Sequence, residues 1–332
     1  MRGFVAAFAV TTGLLALAAG STAESQAEAR WRPLKHLPGI VDVVGPRADG
    51  RLVSSTRRGL FLLDRGGAMK RFARAYLPEG GEPYLAIARN RRVPGAGCSF
   101  GRDDVYVIAP TATPSIARVD RLGRGSRFAD LPSGAFPSGI AFDTVGRFAK
   151  RLLVTVLFGD SLTLYAFDCR GRATPVLQGG PRVEGGIAVA PRTFGRFAGR
   201  LIVPDEVSGR LLAIDSRGQT EVLTDYQFPA GGDVGPESVG FVPPSFGARS
   251  TAYLADLGAP GSPTPGSDAL LTARGRELVR AGVRPGDLLV ATEAGALTFA
   301  VRCRQRCTVR KIGHGPAATH AEGHVTILAA PR

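Results

Sequence analysis

Four glutamates, Glu82, Glu184, Glu237 and Glu322, each open a short apolar run: EPYLAI, EGGIAV, ESVGFV and EGHVTIL. Carboxylates brought to one point repel each other. A hard cation relieves that repulsion, and carboxylate oxygens suit Ca²⁺ or another divalent cation. Glu82, Glu184, Glu237 and Glu322 are therefore the candidate metal ligands. Asp205 and Glu206, adjacent in PDE, and Asp256 are acidic residues able to join them. His320, Glu322 and His324 alternate, which puts them on one side of an extended strand. Such a trio offers zinc-type donors, and His320 with Glu322 is the best acid–base pair in the chain. The plainer alternatives are exposed rim glutamates that cap backbone amides, and a C-terminal strand that happens to carry histidines. No GxSxG, HExxH or GxxxxGK[ST] occurs, so the usual hydrolase, zincin and P-loop signals are missing.

What would bring these side chains together is a repeat. VGRFAKRLLVTVLFGDSLTLYAFDCRG (145–171) is nearly restated as FGRFAGRLIVPDEVSGRLLAIDSRG (194–218). Aligned outward, each unit holds four apolar runs of three to seven residues, separated by Gly-, Arg- and Asp-rich turns. Short, β-branched and aromatic runs between such turns read as strands, here a to d. The first unit has its strands near 40–44, 51–55, 60–64 and 69–73, and the second at 84–88, 104–109, 115–120 and 127–131. The fifth is read as 238–242, 252–256, 269–273 and 277–280, with a helix over 268–281 as the rival for its last part. The sixth has b, c and d at 287–292, 297–302 and 307–312, and HAEGHVTIL, which resembles RVEGGIAVA, supplies its a strand. The fold class expected is all-β, a six-bladed β-propeller of four-stranded antiparallel blades whose ring closes near the C-terminus. A five-bladed propeller with an irregular C-terminal extension is the alternative.

In such a blade the d–a and b–c loops share an upper face, and the a–b and c–d loops share a lower one. The lower loops are rich in arginine, among them Arg89, Arg91, Arg92, Arg147, Arg196, Arg200, Arg304 and Arg306. The upper b–c loops are more acidic, with Asp160, Asp205, Glu206, Asp256, Asp268 and Glu293. The strand-opening glutamates then fall at the upper channel mouth, where the third unit has Pro137-Ser138 and Glu237 sits one position later than the others. Glu82, Glu184, Asp205, Glu206, Glu237, Asp256, His320 and Glu322 form the candidate binding set.

LIVPDEVSGRLLAIDSRG and VYVIAPTATPSIARVDRLG resemble the strand b–turn–strand c core of extracytoplasmic NHL, YVTN and SMP-30 (gluconolactonase)-like propellers, over residues 38–312. These motifs encode blade geometry. The resemblance implies a metal site made by a glutamate in an EGP-like motif, an asparagine and an aspartate. Glu184-Gly185-Gly186 matches the first part. The sole asparagine, Asn90, falls in a lower loop, so the asparagine ligand has no counterpart.

Arg2 followed by the apolar run 4–19 and Ser21-Thr22-Ala23 reads as a secretory signal over 1–23. A segment 24–37 and a single propeller domain over 38–330 follow. No later run approaches the ~20 apolar residues of a membrane span. A secreted or extracytoplasmic (cell-envelope) monomer is expected. Its formal charge of +14 makes an anionic cell-surface polymer a partner for the arginine-rich face, while export argues against nucleic acid. Four cysteines in an exported chain imply two disulfides. Cys303 and Cys307 flank a hairpin turn, and Cys98 and Cys169 lie in neighbouring lower loops, which pairs Cys98 with Cys169 and Cys303 with Cys307. Two function classes remain: a scaffold that binds a small molecule or an extracellular partner around a divalent cation, and an SMP-30-like metal-dependent lactonase or hydrolase.

Overall fold

A computed structural model describes Gly3 and residues 28–76 and 81–330. Apart from Gly3, the signal segment 1–23 lies outside the described residues.

The apolar runs pair as strands. Four separate antiparallel sheets of four strands contain residues 40–72, 85–130, 136–180 and 188–222. Arg92–Val93 and Cys98–Ser99 form a small two-stranded sheet, and a nine-stranded sheet holds the rest: two four-stranded antiparallel halves joined through their innermost strands, with Ala29–Arg30 as a ninth, parallel strand at one edge. The join is a parallel bridge between Val239 and His324. We refer to these as the first to sixth arrays, the fifth and sixth being the two halves. Buried apolar side chains fall into clusters between adjoining arrays. Val53, Leu60, Leu85 and Val105 join the first to the second, and Leu254, Leu271, Leu289 and Ala300 join the fifth to the sixth. Ile40, Leu52, Tyr253 and Leu270 join the sixth back to the first. Because no array buries both faces alone, this stacking supplies the core. Segments of the innermost strand of every array line one central cavity, including Val44, Leu85, Ile140, Ile187, Val239 and Val325. The architecture is a propeller of four-stranded antiparallel sheets.

The last two units differ from the reading by adjacent pairing. The strand Pro236–Phe241 pairs with Leu288–Thr292, not with Thr251–Asp256. Thr251–Asp256 pairs instead with the C-terminal strand Ala321–Leu328. The two inner strands are thus exchanged. Their apolar patterns are alike, so pattern alone does not choose a partner. Gly275–Arg280 is an α-helix, not a fourth strand. The fourth strand of the sixth array is Arg32–His36, antiparallel to Ala269–Arg274. Ala29–Arg30 runs parallel to Gly313–His314 at the edge of the fifth array. Residues from both ends of the domain therefore meet in the sixth array.

Both disulfides, Cys98–Cys169 and Cys303–Cys307, are present. The first ties the lower loop of the second array to that of the third. Among the described residues, no helix is long and apolar enough to cross a membrane.

Candidate functional site

The inner strands deliver their first residues to the upper mouth. There Tyr84, fully enclosed, points its hydroxyl at three carboxyl groups. Its Oη lies 2.7 Å from Glu322 Oε2, 3.0 Å from Glu82 Oε2 and 3.2 Å from Glu237 Oε1. A phenol has one proton to donate. It serves one carboxylate and presents lone pairs to the other two. Those groups must carry protons or share a cation.

A second group adjoins through Glu322. His320 Nε2 lies 2.8 Å from Glu293 Oε1 and 3.5 Å from Glu322 Oε1. Donor atoms of Glu293, His320 and Glu322 all come within 4.8 Å of one another. His320 is held from behind: Asp256 accepts its backbone N–H at 2.9 Å, and Ser262 Oγ is 3.2 Å from Nδ1. Among the described residues, no N–H or hydroxyl donor reaches the buried Glu237 Oε2 and Glu293 Oε2, and Glu293 can share a proton with the Glu206 carboxyl. Both residues are at least nine-tenths buried, with 2% and 5% exposure. An orphaned buried carboxylate oxygen is costly, so it points to a missing proton or ion.

The electrostatics follow from this crowding. Burial raises Glu237 well above the carboxylate range, and Glu322 and Glu293 push it further. Glu82 rises chiefly through the charge on Glu322, with burial adding to it. Burial lifts Glu322 to about 7 although His320 and Tyr84 stabilise its anion. Burial lifts Glu206 to about 8, helped by a side-chain hydrogen bond to Glu293 and by that group's charge. Burial opposes a charge on His320, but hydrogen bonds to Glu293 and Glu322 outweigh it and push the imidazole to about 10.

Of the residues singled out in the sequence, Glu82, Glu184, Glu206, Glu237, His320 and Glu322 gather at this mouth. Glu184 sits at its edge with Arg182 Nη2 at 2.9 Å. Asp205 and Asp256 do other work. Asp205 closes its own turn by accepting the Ser208 N–H and hydroxyl. Asp256 accepts from Ser267 and from the His320 backbone. The tight three-donor group is not the four glutamates, since only Glu322 is common to both sets. Tyr84 and Glu293 complete the site and were not in the candidate set. Glu293 occupies the same b–c turn position as the PDE acids. Tyr84 stands where the equivalent strands have Gly186 and His324, a polar-tipped side chain among small or basic ones.

His320 and His324 do not share a surface. Gly323 between them has φ +66°, which breaks the alternation. His324 is lower in the channel, with Nδ1 2.9 Å from Asp42 Oδ2 and Nε2 3.2 Å from the Ile187 carbonyl. Both nitrogens face acceptors, so both carry protons, and the ring is an imidazolium paired with fully buried Asp42. Asp42 also accepts the backbone N–H groups of Leu85 and His324.

No family model matches the chain. No curated protein matches it either. Solved structures do. A putative oxidoreductase (glucose dehydrogenase) from Thermus thermophilus aligns with TM-score 0.50 and 18% identity, over 86% of each chain. Virginiamycin B lyase from Staphylococcus aureus aligns with TM-score 0.48 and 11% identity, over 86% of this chain and 74% of that one. A putative gluconolactonase aligns with TM-score 0.35 and 14% identity, over 75% of this chain and 92% of that one. At these identities the likeness concerns the fold alone. The fold is that of a propeller. The chemistry has to be argued from the mouth itself.

Proposed function

We propose that the protein is an exported propeller that binds a small molecule or an extracellular partner at its acidic upper mouth, around a divalent cation. One observation carries this reading: a phenol that faces the carboxyl groups of Glu82, Glu237 and Glu322, with a buried Glu237 oxygen that no donor reaches among the described residues and with Glu293 adjoining through His320. Glu237, Glu293 and Glu322 would supply oxygens, a set that suits Ca²⁺. With neutral His320 added, the set suits Mn²⁺ or Zn²⁺. Such an ion would present a positive centre to an anionic or hydroxyl-bearing ligand. Two disulfides support an oxidising, extracytoplasmic location. The arginine-rich underside supports contact with an anionic cell-surface polymer.

The test is metal analysis of the purified protein, followed by calorimetry of the stripped protein with Ca²⁺, Mn²⁺ and Zn²⁺. One ion should bind stoichiometrically and raise stability by about 2.7 kcal/mol at a hundredfold excess over Kd. Glu237→Gln should abolish that gain while raising the stability of the stripped protein at pH 8. Absence of any ion effect in the unaltered protein would overturn the reading.

A metal-dependent lactonase or hydrolase is the second reading. Glu322 and Glu206, lifted to about 7 and about 8, are poised for proton transfer near neutral pH. Asn90 bears on it from the other side, because the only asparagine lies at the opposite face. A lactone and ester screen with the loaded protein, and with Glu322→Gln as control, separates the two readings. Turnover lost in Glu322→Gln would establish the enzyme.

A further inference from the structure

The acidic mouth has a counterpart of opposite character. Beneath the Asp42–His324 pair, the inner strands surround a throat of about 270 Å³ that opens on the underside. Its walls are apolar, among them Ile87, Phe142, Val189, Phe241 and Val325. The buried polar side chains lining it, Thr326 and His324, are engaged. Thr326 Oγ1 donates to the Val43 carbonyl at 2.6 Å, and both ring nitrogens of His324 are held as described. Among the described residues, none of the buried side-chain polar atoms without a partner belongs to this lining, whereas Glu237 at the other mouth has one. The upper end calls for a cation, and the throat calls for hydrocarbon.

The rim is basic. Arg89 lines the opening, and its Nη1 donates to the Pro46 carbonyl at 2.6 Å. Arg91 donates to the carbonyl of Thr144, another lining residue, and Arg192 Nη2 donates to the Val145 carbonyl at 3.0 Å. The acids of this face are largely committed to backbone amides. Burial shifts the Arg89 pKa downward and the charge on Asp103 partly offsets this; Asp103 is itself buried and accepts the Ala48 N–H at 2.9 Å. Asp143 accepts from Val145, Gly146, Phe148 and Lys150. An apolar throat with a guanidinium collar matches one ligand class. We propose that it is a second binding site, for a free medium-chain monocarboxylate, with the alkyl tail inside and the carboxylate on Arg89. The volume sets the length. It is roughly twice a cavity that holds a benzene ring, enough for a medium chain and too small for a long one.

Calorimetry of the whole protein with a hexanoate-to-dodecanoate series tests this, with octyltrimethylammonium and octanol as controls. Affinity should rise about fourfold per methylene until the throat is full and then level off. Octanoate should bind at least tenfold more tightly than either control. Arg89→Gln, on the exposed rim, should weaken octanoate about tenfold and flatten its salt dependence. Ala188→Leu, which fills the throat from a half-buried lining position, should weaken it by a similar factor. Glu237→Gln should leave octanoate binding unchanged, which keeps this site distinct from the upper one. No binding of octanoate, equal binding of octyltrimethylammonium, or an unchanged affinity in Arg89→Gln would each overturn the proposal.

Discussion

At the residue scale the acidic mouth makes a pH prediction. Glu206 titrates near 8 in the folded chain against an ordinary 4.5, so between those values the folded state binds more protons than the unfolded one. Its contribution to stability is therefore greatest below about pH 4.5 and is lost as pH rises to about 8. His320, raised to about 10, contributes stability that is complete below about 6.5 and is lost as pH rises through 10. Both run the same way. The carboxylates shifted downward, Asp49, Asp120 and Glu277, act only at more acidic pH. Thermal unfolding in chelator should show a melting temperature that falls steadily from pH 5 to pH 8. A bound divalent cation should flatten that slope. A melting temperature that climbs over this range would show that the cluster does not hold its protons as described. The glutamates were legible because each opens a strand, and strand starts share a position in a repeat. Tyr84 and Glu293 were hidden for different reasons. A tyrosine in an apolar run reads as core, and a turn acid reads as a solvated turn.

At the element scale, the narrowness of the channel is set by inner strands with little or no side chain between them. A Cβ on Gly186 would lie 2.1 Å from the Gly323 carbonyl oxygen, and one on Gly240 would lie 1.7 Å from that of Val325. Neither obstacle is the flexible end of a side chain. Gly186→Ala must push two inner strands apart, at a cost of about 3 kcal/mol or more. It should also disturb the mouth, because the Gly186 N–H donates to the Glu237 carbonyl at 3.1 Å. Denaturant unfolding measures the first effect and cation calorimetry the second. A Gly186→Ala protein with unchanged midpoint would mean that the inner strands are not packed this closely. Run lengths and turns gave nearly every strand of the first four arrays to within a few residues. The exchange of the last two inner strands was out of reach. Adjacent runs usually pair, and Glu237 and Glu322 open strands of equal apolar character. What separates them is where the intervening chain crosses, a property of long-range packing.

At the scale of the whole molecule, closure depends on residues from both ends. The sixth array takes its inner strand from 321–328 and its outer strand from 32–36. Between the two N-terminal strands sits Trp31, the sole tryptophan of the chain. It is buried in the cluster between the fifth and sixth arrays, with Nε1 2.7 Å from Thr298 Oγ1. Its fluorescence therefore reports the closing seam and nothing else, while far-ultraviolet circular dichroism reports all the sheets. The seam shares its apolar cluster with the inner strand of the sixth array, which bridges to the fifth and packs toward the first. A ring with that continuity has no cheap place to open. Denaturant transitions followed by Trp31 emission and by circular dichroism should coincide in midpoint and slope, as cooperative unfolding requires. Removal of residues 28–36 should strip the outer strand and the Trp31 plug together, lowering the midpoint for the whole domain. An earlier Trp31 transition in the intact chain, with circular dichroism unmoved, would instead make the N-terminal strands a detachable strap on an independently stable ring.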